Sequence, residues 1–377
     1  MKNTRALNPK NERVKREYLH FLKHAKGQNE QSLDAVIKAI SRFESFHRYK
    51  DFKDFHHAQA VAFKQSLVTQ VSKVTGEKLS LGTARASLGQ LKSFFQWVCG
   101  RPGYKSGFQF SDTEYFNLSE KENRIATARR NRSFPTLEQM QKVLASMPDA
   151  SVIERRNRAL IAFTMITGAR DGAVASLKLK HIDLEKGLVF QDAREVNTKF
   201  SKTFPTYFAP LGGGTLQLVT DWILYLRKDC LWGNDDPVFP ATEIVVGETR
   251  RFEVEGVKRA HWSNASPIRK IFRNAFEIAG LPYFNPHSLR NMLVQLGEKS
   301  CRTPEEFKAW SQNLGHEKVM TTFFSYGVVD ERRQGEIIQG LSQKPTVANL
   351  ELSDFAKAFF NEAASRGFPL TQGSRVP

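Results

Sequence analysis

The sequence predicts a mainly α-helical chain with one small antiparallel β-sheet, divided into two domains. Three observations carry that expectation. Apolar residues recur at one-face helical spacing, first as Leu33, Val36, Ile37, Ile40 and Phe43, then as Leu88, Leu91, Phe95 and Val98 before Gly100. One stretch, "KGLVFQDAREVNTKFSKTFPTYFAPL", instead mixes strand-like runs at Leu188 to Phe190 and Thr206 to Phe208 with turn residues. Finally, 377 residues are too many for a single small core.

Residues 1–27 form a basic N-terminal segment, with eight Lys or Arg against two Glu, and read as a solvated helix face or a frayed tail that could also meet DNA. Residues 28–118 read as a small all-helical domain. Residues 119–134 lose the apolar pattern, and "RIATARRNR" makes them a basic linker whose Arg129, Arg130 and Arg132 suit a phosphate backbone. The second domain, 135–340, opens at "PTLEQM", where Thr136 can cap a helix and Gln139 can reach back to it.

Helices are then expected at about 137–147 and 154–167, the second stopping near Gly168, and after the sheet at 215–228 and 267–279, where Ser266 and Pro267 start the run and Gly280 ends it. Another begins at "TPEEF", with Thr303 and Glu306 as a capping box. Residues 341–377 are a tail with one amphipathic stretch around Leu350 to Ala364, fit for a neighbouring subunit or its own domain.

Composition narrows the partner. Fifty-six Lys and Arg against 39 Asp and Glu give a net charge of +17, and a basic surface gains affinity by releasing counterions from a polyanion. Nucleic acid is the leading candidate. Three cysteines, Cys99, Cys230 and Cys301, lie too far apart for a metal site or a disulfide framework and suit a reducing compartment. The first thirty residues hold no signal-peptide core, and no later run has the apolar length of a membrane helix. The expectation is a cytoplasmic, nucleoid-associated protein with no membrane contact.

Four short pieces carry chemistry. "TGARDGAVASLKLKHID" stops a helix at Gly168 and exposes Arg170 where the next begins. "HSLR" puts His287 and Arg290 three apart, on one helix face. "LGH" sets His316 beyond a helix end, and "LGHEKVMTTFFSYG" places Tyr326 ten positions later. A phenol is a poor nucleophile at neutral pH and needs a positive field and a proton acceptor beside it. Two guanidiniums supply that field and can bind the oxygens of a five-coordinate phosphate; two imidazoles can move protons or donate to the phosphate.

In this order the pieces resemble the tyrosine recombinase (phage integrase) family, over roughly Thr136 to Gly327, with the upstream helical domain resembling that family's core-binding domain. The resemblance implies an N-terminal helical core-binding domain joined to a mixed α/β catalytic domain. It implies a site-specific recombinase that cleaves and rejoins DNA through a 3′-phosphotyrosyl bond on Tyr326. Arg170 and Arg290 would clamp the phosphate, with His287 and His316 as the histidines of the site. The family's hairpin lysine would be Lys199, with Lys202 near the DNA backbone, although "NTKFSK" offers both. Double-stranded DNA, a homotetramer on paired sites and a DNA-bending accessory protein would be the partners.

No metal and no cofactor are expected, since the histidines lack acidic neighbours at ligand spacing and no glycine-rich phosphate loop is present. Two departures from the family pattern stand out: Ala173 where Glu or Asp usually follows the first Arg, and ten rather than nine positions from His316 to Tyr326. They motivate one rival expectation, a DNA-binding regulator without catalysis; a second rival, a type IB topoisomerase-like relaxing enzyme, would use similar chemistry without strand exchange.

Overall fold

The computed structural model describes residues 7–71, 76–128, 133–246 and 251–316. Lys2, Arg5, Arg129, Arg130, Arg132, Tyr326 and the tail from 341 lie outside the described residues. The chain divides into two compact units, Met1–Arg129 and Arg130–Pro377. As expected, it is mainly helical with small antiparallel sheets.

The first unit is built from α1 (Pro9–His20), α2 (Glu30–Phe46), α3 (His57–Thr69), α4 (Leu81–Cys99) and α5 (Glu120–Thr127). Its core is dense in phenylalanine: the ring of Phe55 stacks on Phe95 at 4.1 Å between centroids, and Phe43 meets the edges of Phe63 and Phe95 at 5.2 and 5.1 Å. Such offset and edge-on contacts add to the burial of large apolar rings.

Two expectations for this unit change. From Pro9 on, the basic N-terminal segment is more than a tail, because Val14, Tyr18 and Leu22, spaced by four, are buried while Lys10, Arg13 and Arg16 face outward and Lys15 pairs with the buried Glu44. Asn11, wholly buried, fastens the helix: its amide donates to Glu44 at 3.1 Å and to the Lys50 carbonyl at 2.9 Å, and its oxygen accepts from the Phe52 amide. The proposed linker likewise begins as a helix. Ser119 and Glu122 form a reciprocal capping box that nucleates α5 in a stretch with few apolar residues.

The second unit contains α6 (Leu137–Ser146), α7 (Val152–Thr167), α8 (Asp171–Val174), α9 (Thr215–Leu224), α10 (Ser266–Ile278), α11 (Ser288–Ser300) and α12 (Pro304–Asn313). Thr136 and Gln139 cap α6, and Thr303 and Glu306 cap α12, as the sequence indicates. Strands β1 (Ile182–Asp183), β2 (Leu188–Gln191) and β3 (Phe204–Tyr207) form an antiparallel sheet in that order, leaving β3 at an edge. A second hairpin, β4 (Ala241–Val246) with β5 (Phe252–Lys258), lies outside the sequence-based expectations. Helix α7 runs through the core, with every residue from Ala159 to Thr167 buried.

Candidate active site

The site is assembled around the end of α7. Gly168 ends that helix at φ +58°, a backbone conformation glycine takes without cost. It is glycine for a second reason: a Cβ there would lie 2.9 Å from Leu293 Cδ1 and 3.2 Å from Leu314 Cδ2. The chain then buries Ala169 and presents the half-buried Arg170 at the N-cap position of α8.

Arg290, on the first turn of α11, reaches back to the same corner. Its side chain is 5% exposed. Nη1 donates to the Gly168 carbonyl at 2.8 Å, and Nη2 donates to the Leu314 carbonyl and, at 3.1 Å, to His316 Nε2. Three parts of the chain, residues 168, 290 and 314–316, are therefore tied by one guanidinium, whose planar fork suits several acceptors at once. His287 stands at the N-cap of α11 on the exposed rim.

His316 follows Gly315, which has φ +67° and sits so close to the ring of Phe204 that a Cβ would come within 2.5 Å of Phe204 Cζ. Lys199 and Lys202 flank Phe200 in the connection between β2 and β3, their Nζ atoms 4.8 and 5.8 Å from its ring centroid. Phe200 is 77% exposed and has φ +60°.

The electrostatics show which of these groups share a space. Burial, then the charges of Arg290, Arg170, Lys202 and His287, push His316 down to about 4. Although His287 stands at the rim, the crowding of its ring by protein, then Arg290, Arg170 and Lys199, lower it, and Asp171 opposes the shift. Arg290 is held well below the ordinary arginine range by burial and by Arg170. Like charges that depress one another's protonation are relieved by an anion, so the cluster is built to receive negative charge.

The structure thus gathers Arg170, Lys199, Lys202, His287, Arg290 and His316 around one corner. Tyr326 lies outside the described residues. Lys199 is felt at His287 and Lys202 at His316, so both lysines border the site. Ala173 is buried among apolar residues. The nearby Asp171 instead accepts from Arg269 Nε at 2.7 Å and from the Gly172 amide at 3.0 Å, a partnership the sequence did not signal. Among the described residues no group of three His, Cys, Asp or Glu could hold a metal ion, and no helix is long and apolar enough to cross a membrane. The cysteines Cys99, Cys230 and Cys301 are free and partly buried.

Residues 134–332 match the Phage integrase family. The tyrosine recombinase XerC of Lactobacillus leichmannii is 22% identical over 311 residues, covering 82% of this chain and 92% of the relative. Among solved structures, a lambda integrase (75-356) dimer bound to a COC′ core site superposes with a TM-score of 0.55 at 16% identity, over 85% of this chain and 95% of that one. A lambda integrase tetramer bound to a Holliday junction gives a TM-score of 0.54 at 16% identity, over 82% and 77%.

Proposed function

The chain belongs to the phage integrase family, the tyrosine-type site-specific DNA recombinases, and from that premise we propose that Tyr326 is its nucleophile and the corner around Arg290 its phosphate site. The observation that carries this reading is geometric: the buried Arg290 guanidinium joins the Gly168 and Leu314 carbonyls and His316 Nε2 at one corner, where burial and then neighbouring cations also lower His287 and His316. A scissile phosphodiester entering that space would meet two guanidiniums, whose hydrogen bonds strengthen as charge builds on its non-bridging oxygens.

The phenol oxygen of Tyr326 attacks phosphorus and surrenders its proton, with His287 as the nearest imidazole to the rim. The bond to the 5′ oxygen breaks, and that oxygen takes a proton from a lysine, Lys199 by preference. The 3′-phosphotyrosyl bond keeps the energy of the broken one. A 5′ hydroxyl of a partner strand then reverses the steps, so rejoining consumes no cofactor. His316, neutral at physiological pH because it is held at about 4, offers a hydrogen bond to the phosphate rather than a further charge.

Arg129, Arg130 and Arg132 would meet the phosphate backbone together with Lys202, contacts that fix register without choosing sequence. The assembled form we propose is a homotetramer on paired DNA sites in the nucleoid, to which a DNA-bending protein can contribute. A nicked suicide substrate tests the chemistry: wild type should become covalently bonded to DNA and Tyr326→Phe should not. Absence of an adduct from wild type on its own site would leave a binding protein only.

A further inference from the structure

We propose that Asn313 is a positioning residue that locks the lysine-bearing connection between β2 and β3 to the turn carrying His316. The inference rests on the reading of Lys199 or Lys202 as the proton donor to the leaving oxygen.

Strand β3 pairs with β2 on one side only, so its other edge presents backbone donors and acceptors that need partners. Asn313, the last residue of α12, supplies them. The Tyr207 amide donates to Asn313 Oδ1 at 2.6 Å, and Asn313 Nδ2 donates to the Tyr207 carbonyl at 2.9 Å. The side-chain amide therefore imitates one residue of a missing strand. Asparagine carries the needed donor and acceptor in one plane; aspartate lacks the donor and leucine has neither.

A third bond, from a side chain of β3 to the backbone of α12, lies deeper. Thr206 Oγ1 donates to the Asn313 carbonyl at 3.1 Å while accepting from Gln191 Nε2 at 2.9 Å, and both Thr206 and Gln191 are buried. At the other end of β3, Phe204 fills the space that a Cβ on Gly315 would need. Both ends of the strand are thus held against residues 313–315.

What this fixes is a relation between catalytic groups. Lys202 lies two positions before β3, and Lys199 stands three further back in a turn where Phe200 and Ser201 both have positive φ. His316 lies three positions after Asn313, and Leu314 between them accepts from Arg290. Without the clamp β3 would still pair with β2. The lysines, however, would lose their register with the phosphate held by Arg290, and a displacement of about 1 Å can cost on the order of a hundredfold in rate.

The defect should therefore lie in protonating the leaving group. A nicked substrate whose scissile 5′ bridging oxygen is replaced by sulfur bypasses that step, because a thiolate departs without a proton. We expect Asn313→Ala to form the covalent adduct about 10- to 100-fold more slowly on the oxygen substrate, yet within about threefold of wild type on the sulfur substrate, with unchanged DNA binding. Thr206→Val, nearly isosteric, should move the same way by about 3- to 10-fold and decides the matter if Asn313→Ala does not fold. Equal slowing on both substrates, or none on oxygen, would overturn the inference. Lys199→Ala and Lys202→Ala run alongside: if neither is rescued by sulfur, it is the lysine assignment that fails, whereas a rescued lysine variant beside an unrescued Asn313→Ala rejects the clamp alone.

Discussion

Two buried arginines near opposite ends of helix α7 differ in almost everything except burial. Arg156, in its second turn, is 2% exposed and is held by neutral partners: its guanidinium donates to the Pro240 carbonyl at 2.9 Å, Thr242 Oγ1 at 3.1 Å and Asn157 Oδ1, and lies 5.0 Å from the Trp262 ring. Burial alone lowers it, to about 10. Arg290, at the far end, is nearly as buried but has Arg170 beside it and two histidines lowered first by burial and then by its charge. An arginine with neutral partners holds a fold together; an arginine kept among other cations awaits an anion.

Substituting the two arginines separates those roles. Arg290→Gln should abolish adduct formation, by about a thousandfold or more, and also lower stability by about 3 kcal/mol, because the Gly168 and Leu314 carbonyls lose their donor. Arg156→Gln should lower stability by a similar amount, about 2–3 kcal/mol, while each folded molecule cleaves within about threefold of the wild-type rate. Urea melts and single-turnover cleavage, both normalised to folded protein, read the pair; equal loss of cleavage in both would erase the distinction.

A smaller change at the Arg290 corner tests its geometry. Gly168→Ala forces a side chain into positive φ and against Leu293 and Leu314, and should cost about 2–3 kcal/mol in thermal or urea unfolding. Because the Gly168 carbonyl anchors Arg290, cleavage at a temperature where the variant remains folded should also fall, by about tenfold or more.

Acid should distinguish the corners more gently. His316 titrates near 4 in the fold and near 6.5 unfolded, so between those values the unfolded chain binds the extra proton. Its contribution to stability is thus full above pH 6.5 and is lost as pH falls toward 4, with a slope of at most ~1.4 kcal/mol per pH unit for one proton. His316→Gln should flatten the fall measured by urea melts at pH 7, 6 and 5. The Arg156 corner has carbonyl, hydroxyl and amide partners, which do not titrate there.

Much of the Arg290 corner was legible in the sequence because Arg170, the His287–Arg290 pair and His316 follow the motif order of the family the chain resembles, and Gly168 and Gly315 advertise the turns that present them. Helix starts were legible where capping boxes are local, as at Thr136 and Thr303. The supporting contacts were not. Asn313 meets Thr206 and Tyr207 across more than 100 residues, and Arg156 meets Pro240 and Thr242 across more than 80, so neither leaves a nearby pattern. The helix α1 was obscured by its charge, since the outward lysines and arginines outnumber the Val14, Tyr18 and Leu22 stripe that seats it. The lysine pair stayed ambiguous because Lys199 and Lys202 both border the histidines.

Arg170 offers the most direct test, since it is the like charge that sets the Arg290 corner apart. In Arg170→Ala, measured on one sample, adduct formation on a nicked site should fall by about a hundredfold or more, while the unfolding midpoint holds or rises as the repulsion on Arg290 and His316 is lifted. A variant that melts several degrees lower yet still bonds to DNA at the wild-type rate would contradict the account.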